Sequence, residues 1–378
     1  MRIAVAPNAF RGSLSAFQAA ACISEGLQRS RLACDVTLLP LADGGDGTLA
    51  IMIRALGGEQ IPIQVTGPDG IPIIAQLGLL ADGQTAIVET AQASGVERIA
   101  SAVRDPLHAT SYGTGELISA ALSRGYPRII VGLGGSATND GGAGCMQALG
   151  AELFDAHNMP IPRGGAALAQ LDRIDVQALK RILEPLEVVA LCDVDNPLIG
   201  ERGASRVFAP QKGADAQAVE TLETAMIHYA DIIRRDLGMD VTYLPGAGAA
   251  GGLGAGLAAF LNATLTPGAD MLISLMGYDQ QLEEIDLVIT GEGKLDAQTA
   301  SGKAVQSIAG LALKREIPVI ALVGTLDSAP EALRTMGIDA AWSIVPGPCD
   351  LQTASTHAAE WLTRAAVELG NTLAIARR

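Results

Sequence analysis

The feature that most constrains the fold is a short apolar run at residues 128–131 that passes at once into Gly132-Leu133-Gly134-Gly135-Ser136-Ala137-Thr138-Asn139-Asp140-Gly141-Gly142. The apolar stretch 143–149 follows. The run has the texture of a buried strand and the stretch that of a helix, so the glycines fall on a strand-to-helix turn. At such a turn unpaired N–H groups and the positive end of the helix dipole face outward together, which makes it a site for an anion. Glycine lets a phosphate or carboxylate approach the backbone there.

The opening of the chain has the same order. Residues 2–6 read as a buried strand, 7–12 as a loop, and Ser13 or Ser15 as the cap of a helix through about Gln28. A second strand at 36–40 ends in Asp43-Gly44-Gly45-Asp46-Gly47-Thr48, ahead of a helix at 49–56. After Glu284, strands at 286–290, 319–323 and 341–345 alternate with helices at 302–314, 330–336 and 353–369. This is an α/β pattern, a doubly wound parallel sheet whose ligands bind beyond the carboxyl ends of the strands.

The middle of the chain differs. Strands at 61–66, 73–80 and 85–89, separated by Gly-Pro-Asp-Gly and Ala-Asp-Gly turns, predict an antiparallel meander. A helix at 113–123, the glycine turn, a strand at 187–191, a long helix at 216–237, a strand-like run at 241–244 and a glycine tract at 246–254 complete this region. The pattern predicts one domain made of residues 1–57 and 284–378, with residues 58–283 inserted as a mixed α/β domain.

A net charge of −15 and few aromatic residues argue against a grip on nucleic acid, which needs a basic face and stacking platforms. An acidic chain that binds an anion must do so locally, with N–H groups, a few Lys or Arg and a divalent cation. The five dispersed cysteines include no Cys-x-x-Cys pair, so they suggest neither a disulfide framework nor a zinc site and fit a reduced, cytoplasmic protein. The most apolar region, 247–265, is broken by five glycines and suits a packed turn and helix better than a membrane span.

Three further loops could carry chemistry, two of them at strand ends. Asp193, Asp195 and Asn196 follow the strand at 187–191; a carboxylate there can accept a hydroxyl proton or hold magnesium, and an Asx turn explains it equally well. Lys212 sits in a loop shaped by Pro210 and Gly213, where a lone lysine is usually only solvated. Glu292, Lys294, Asp296, Gln298 and Thr299 crowd one loop after the strand at 286–290. That density favours a site, with Glu292 and Asp296 as metal ligands and Lys294 neutralising phosphate charge.

The histidines are scattered, and Ser136 lacks a Gly-x-Ser-x-Gly elbow. Neither a P-loop nor a protein-kinase signature occurs. Gly246-x-Gly248-x-x-Gly251 and Gly132-x-Gly134-x-x-Ala137 match the dinucleotide spacing, weakly in a chain with 44 glycines. They leave open an NAD(P)-dependent oxidoreductase of a small hydroxy acid; a non-catalytic binding protein for small acids is a third reading.

The segments 134–142, 246–257 and 290–299 resemble those of the bacterial glycerate kinases of the class I type. So do 6–16, 43–48, 65–68, 113–117, 193–198 and 210–214, in the same order from end to end. The resemblance implies a Rossmann-like domain with a large inserted domain and an active site in the cleft between them. It also implies transfer of the ATP γ-phosphoryl group, with Mg2+, to a hydroxyl of D-glycerate, leaning toward the 2-position. One departure stands out: the family's first loop usually reads Asp-Ser-Phe/Tyr-Lys, whereas this chain has Asn8, Ala9, Phe10 and Arg11, which removes an acid and keeps the positive charge.

Phosphoryl transfer asks mainly for in-line positioning and charge neutralisation. The expected phosphate donors are the amides of Gly134, Gly135 and Ser136 or of Gly248, Gly251 and Gly252. Asp43, Asp46, Asn139, Asp140, Asn196, Gln298 and Thr299 are expected to line the substrate and phosphate sites. Arg11 or Lys212 would anchor the glycerate carboxylate, Asp193 would accept the hydroxyl proton, and Lys212 or Lys294 would offset developing charge. The expected partners are ATP, Mg2+ and D-glycerate, with no nucleic acid or membrane; a homo-oligomer remains open.

Overall fold

The structure, a computed structural model, describes residues 1–179, 186–296 and 303–376. The chain packs as two compact units, Met1–Ala42 with Ala269–Arg378, and Asp43–Gly268.

The first unit holds a five-stranded sheet in the order Ala340–Ser343, Val319–Val323, Leu287–Gly291, Arg2–Pro7, Asp35–Leu38. Every pairing in it is parallel. Alternate residues of a strand face opposite sides. On one side Ile3, Val5, Leu287, Ile289, Ile320 and Leu322 form a core with Ile23 and Leu27 of helix Ala16–Arg29 and Leu362 and Leu369 of helix Ala358–Ala376. The intervening residues Ala4, Val288, Val319 and Ala321 are equally buried, and helix Lys303–Lys314 packs against their strands. Helices therefore cover both faces, as a doubly wound sheet requires. Ser15, not Ser13, caps the first helix, in a reciprocal box with Gln18.

The second unit is built on a six-stranded sheet in the order Thr264–Thr266, Glu187–Leu191, Arg128–Gly132, Thr85–Glu89, Pro72–Leu80, Gly58–Thr66. The first four strands run parallel and the last two complete the antiparallel meander. Cys145, Met146, Met226, Tyr229, Leu253 and Leu257 pack into the core over this sheet.

The division by packing falls at residues 42/43 and 268/269 rather than at 57 and 284. Helix Thr48–Leu56 packs on Pro72–Leu80, where Leu49 lies so close to Gly78 that a Cβ there would come within 2.8 Å of its Cδ1. Residues 269–283 go with the first unit, where the Tyr278 hydroxyl donates to the carbonyl of Pro40 at 2.8 Å.

Three other expectations change. Residues 241–244 make a turn instead of a strand, and the outer position of that sheet is taken by Thr264–Thr266. The last helix is two, Leu351–Thr356 and Ala358–Ala376, broken at His357. Lys294–Asp296, expected as loop, forms a short parallel ladder with Thr325–Asp327. All five cysteines are free thiols, and no helix among the described residues is long and apolar enough to cross a membrane.

Candidate active site

In the second unit four parallel strands end in one row. The register places Glu89 beside Gly132, Gly132 beside Leu191 and Leu191 beside Thr266. The loops that leave this row carry the glycine turn, Asp193 and Gly268. The 43–47 loop lies across them: Gly134 donates its amide to the carbonyl of Gly44 at 3.2 Å. A Cβ on Gly134 would come within 2.5 Å of the Gly45 Cα, and one on Gly132 would run into the Gly44 carbonyl. These glycines are therefore required by the crossing of two backbones. Asp43 accepts the amide of Gly45 at 2.9 Å, and Asp193 accepts the amide of Gly268 at 2.8 Å.

Only the tip of the glycine turn is accessible: Gly135 is exposed and Gly134 half-buried, whereas residues 136–140 are buried. Gly134 spends its amide on Gly44, so the amides of Gly135 and Ser136 are the turn's candidate donors to a ligand. The Asp46 carboxylate stands beside the tip, 3.3 Å from where a Cβ of Gly135 would be.

Behind the tip the side chains serve the turn itself. Asp140 is fully buried and accepts from the amide and hydroxyl of Ser111 at 2.8 and 2.9 Å, and from the amides of Gly142 and Gly144 at 3.2 and 3.3 Å. Burial raises its pKa, against the pull of these donors. Asn139 donates from Nδ2 to the Ser205 hydroxyl at 3.1 Å. Lys212 is buried as well, and its ammonium donates to the Ser136 hydroxyl at 3.1 Å and the Thr138 carbonyl at 2.7 Å. Removal from water pushes its pKa down to about 7, with the charge of Asp140 acting the other way.

The first unit has its own cluster at the carboxyl ends of its strands. Pro7 pairs with Gly291, and beyond them Asn8 donates its amide to the Gly291 carbonyl at 2.8 Å. Gly293 lies against the backbone of Phe10 and Arg11. Glu292 and Asp296 are buried. The half-exposed Lys294 ammonium is 3.3 Å from Asp296 and 3.6 Å from Asp327, a pairing that raises its pKa. Arg11 is exposed.

Residues 3–374 match the sequence model of the glycerate kinase family. The chain is 44% identical to a glycerate kinase of Bacillus subtilis (strain 168), covering 100% of this chain and 99% of that protein. It is 43% identical to a glycerate 2-kinase of Escherichia coli (strain K12), with the same coverage. The chain belongs to the glycerate kinase family. A crystal structure assigned as a glycerate kinase 2 from Salmonella typhimurium LT2 superposes with a TM-score of 0.85 at 44% identity, over 100% of this chain and 99% of that one.

In the second unit the row of strand ends gathers Asp43, Asp46, Gly134, Gly135, Ser136 and Asp193, of which the sequence pattern assigns Asp43 and Asp46 to the other domain. Asn196 lies in the loop beyond Asp193 and donates to the Arg202 carbonyl at 2.7 Å. Arg11, Glu292, Lys294 and Asp296 gather in the first unit; Gln298 and Thr299 lie outside the described residues.

The tract at 246–254 is a packed turn leading into helix Ala249–Leu261, as its glycines and apolar residues suggested. Gly248, Gly251 and Gly252 are buried, and backbone or side chains of residues 138–141 and 196–198 fill the space where their Cβ atoms would be. Gly248 donates its amide to Asn196 and Gly252 to Gly248. Close backbone packing is by itself a sufficient reason for the glycine spacing at 246–251. Sequence reading missed Glu89 and Ser111. Glu89 had one available signal, an acid ending a strand in the predicted ligand-binding region.

Proposed function

We propose that this protein transfers the γ-phosphoryl group of ATP to the 2-hydroxyl of D-glycerate, giving 2-phospho-D-glycerate and ADP. The observation that carries the reading is full-length similarity, at 43–44% identity, to proteins named glycerate kinase and glycerate 2-kinase. The bond from the γ-phosphorus to the bridging oxygen breaks, the new bond forms to the glycerate oxygen, and the hydroxyl proton leaves to a carboxylate.

Asp193 is the group suited to take that proton: Gly268 holds one of its oxygens in place, and it is half-buried at a strand end. The Gly135 and Ser136 amides are donors for an anionic oxygen. Lys212, committed to Ser136 and Thr138, shapes this turn from behind, which leaves Arg11 as the better carboxylate anchor.

Magnesium asks a nucleotide site for only one or two carboxylates, the remaining ligands being phosphate and water. Glu292, buried at a strand end, suits the task better than Asp296, which Lys294 already neutralises. The bound ion would offset charge on the transferring phosphate.

The test is coupled ADP release with D-glycerate, ATP and magnesium, with phosphorus NMR of the product. A D-glycerate-dependent rate and a 2-phosphoglycerate signal are expected. ADP release that ignores D-glycerate would refute the reading, and tight D-glycerate binding without turnover would make the protein a small-acid binder.

A further inference from the structure

Helix Thr48–Leu56 begins without a local cap. Its N-cap is Gly47, at φ +92°, which has no side chain to accept the first-turn amides and a backbone conformation that Ser, Asp or Asn would adopt only with strain. The next hydroxyl, that of Thr48, is turned back to accept the amide of Gly44 at 3.1 Å. The missing acceptor comes from 40 residues away: Glu89 Oε1 accepts the Leu49 amide at 2.7 Å. Gln92 steadies its other oxygen from 3.3 Å, and the nearby Gly47 amide favours the charged carboxylate.

Glu89 is 2% exposed, and its strand pairs in register with the one that enters the glycine turn. The same carboxylate therefore ends a strand of the row and fixes the start of the helix that follows residues 43–47. Those residues are tied at their other end by Gly134 to Gly44. A carboxylate at a helix N-terminus is electrostatically favoured, which offsets part of its desolvation. Burial still pushes the Glu89 pKa up to about 7, so the group is held there against a cost, as residues with a task commonly are.

We propose that Glu89 is a positioning residue for phosphoryl transfer: by capping helix Thr48–Leu56 from the strand end, it holds Asp43 and Asp46 in register with the Gly134-Gly135 tip. The inference rests on the proposed kinase activity for its kinetic consequence but not for its structural one. Its task is to fix a loop, so an uncharged acceptor of the same reach should suffice.

The experiment compares Glu89→Ala and Glu89→Gln with wild type in the full chain, by amide hydrogen exchange and by kinetics well below the melting temperature. In Glu89→Ala the Leu49 amide should exchange about tenfold faster, the loss expected for one cap. Its kcat/KM for D-glycerate should fall about tenfold or more, because the 43–47 loop is no longer oriented. Glu89→Gln keeps an oxygen for Leu49 and should recover both to within about threefold. Should Glu89→Ala fail to fold, Glu89→Asp, too short to reach Leu49, takes its place with the same expectation.

Wild-type kinetics in the shortened or truncated variant would overturn the proposal. So would a glutamine variant as inactive as the alanine one, since that result requires the charge or the proton. An inactive wild type would sink the kinase reading instead, and the Leu49 exchange rates would still decide whether Glu89 is the cap.

Discussion

Lys212 places its ammonium 3.1 Å from the hydroxyl of Ser136 while 96% of the residue's surface is withdrawn from solvent, a 4% exposure that few lysines share. Its two partners, Ser136 and the Thr138 carbonyl, belong to the glycine turn, so the charge is spent on shaping that turn. A buried charge with neutral partners is costly; an apolar side chain of similar length removes that cost but leaves the Thr138 carbonyl without its donor, so the two effects oppose each other. Lys212→Met should therefore lie within about 1 kcal/mol of wild type at pH 7. Its kcat should nonetheless fall, about tenfold or more, because the turn loses its inner ties. Urea denaturation and steady-state kinetics on the same preparation separate the two effects.

The same burial gives a pH signature. Folding lowers the Lys212 pKa from 10.5 to about 7, so between these values the unfolded chain holds a proton that the folded chain has released. More protons on the unfolded state means that stability rises with pH across that window. The wild-type urea midpoint should accordingly gain more between pH 7 and pH 9 than that of Lys212→Met. Equal gains would mean that Lys212 keeps its charge throughout.

Asp140 offers a sharper stability test. Four donors converge on its carboxylate, and Asp140→Ala would strand all of them inside the protein. A loss of about 3 kcal/mol or more is expected, with an unchanged denaturant slope. Asp140→Asn keeps one acceptor oxygen and should fall between the two. A fully stable alanine variant would show that water replaces the carboxylate at no cost.

Two glycines make a matched pair for the packing of the 246–254 tract. Gly251 has φ +67°, and a Cβ there would collide with the Thr138 carbonyl, the same oxygen that accepts from Lys212. Gly310, within helix Lys303–Lys314, has open space around the equivalent position. Gly251→Ala should destabilise by about 3 kcal/mol or more through strain and overpacking, and Gly310→Ala should stabilise by about 0.5–1 kcal/mol. Melting temperatures of the two variants check both signs at once.

The contrast between those glycines also marks how far the sequence could be read. Strand and helix order was legible because apolar periodicity reports which face is buried, and Ile3, Val5, Leu287 and Ile289 do share one face. The strand-end loops were legible for the same reason. A glycine needed by a ligand and one needed by a neighbouring backbone have the same missing Cβ, so the sequence could not show that Gly134, like Gly248 and Gly251, is required by a close backbone contact. The first domain crossing was misplaced because helix Thr48–Leu56 packs on a strand that follows it. Glu89 escaped notice because its partner Leu49 is 40 residues away, a pairing that only the folded register creates.

Asp193 separates geometry from chemistry. One of its oxygens accepts the Gly268 amide at 2.8 Å, and Gly268 in turn lies so close to the Asp43 carbonyl that it has no room for a Cβ. Asp193 thus has a structural task that asparagine can perform, because the amide oxygen still accepts from Gly268. Taking up the glycerate hydroxyl proton is a task that asparagine cannot perform. Asp193→Asn should therefore melt within a degree or two of wild type, since its hydrogen bond to Gly268 survives, while kcat falls by about 10²–10⁴. KM values should change little, which assigns the loss to the chemical step. Asp193→Ala should lose both stability and turnover. Wild-type turnover in Asp193→Asn, with the alanine variant still unstable, would leave Asp193 as the anchor of Gly268 and require another acceptor for the proton.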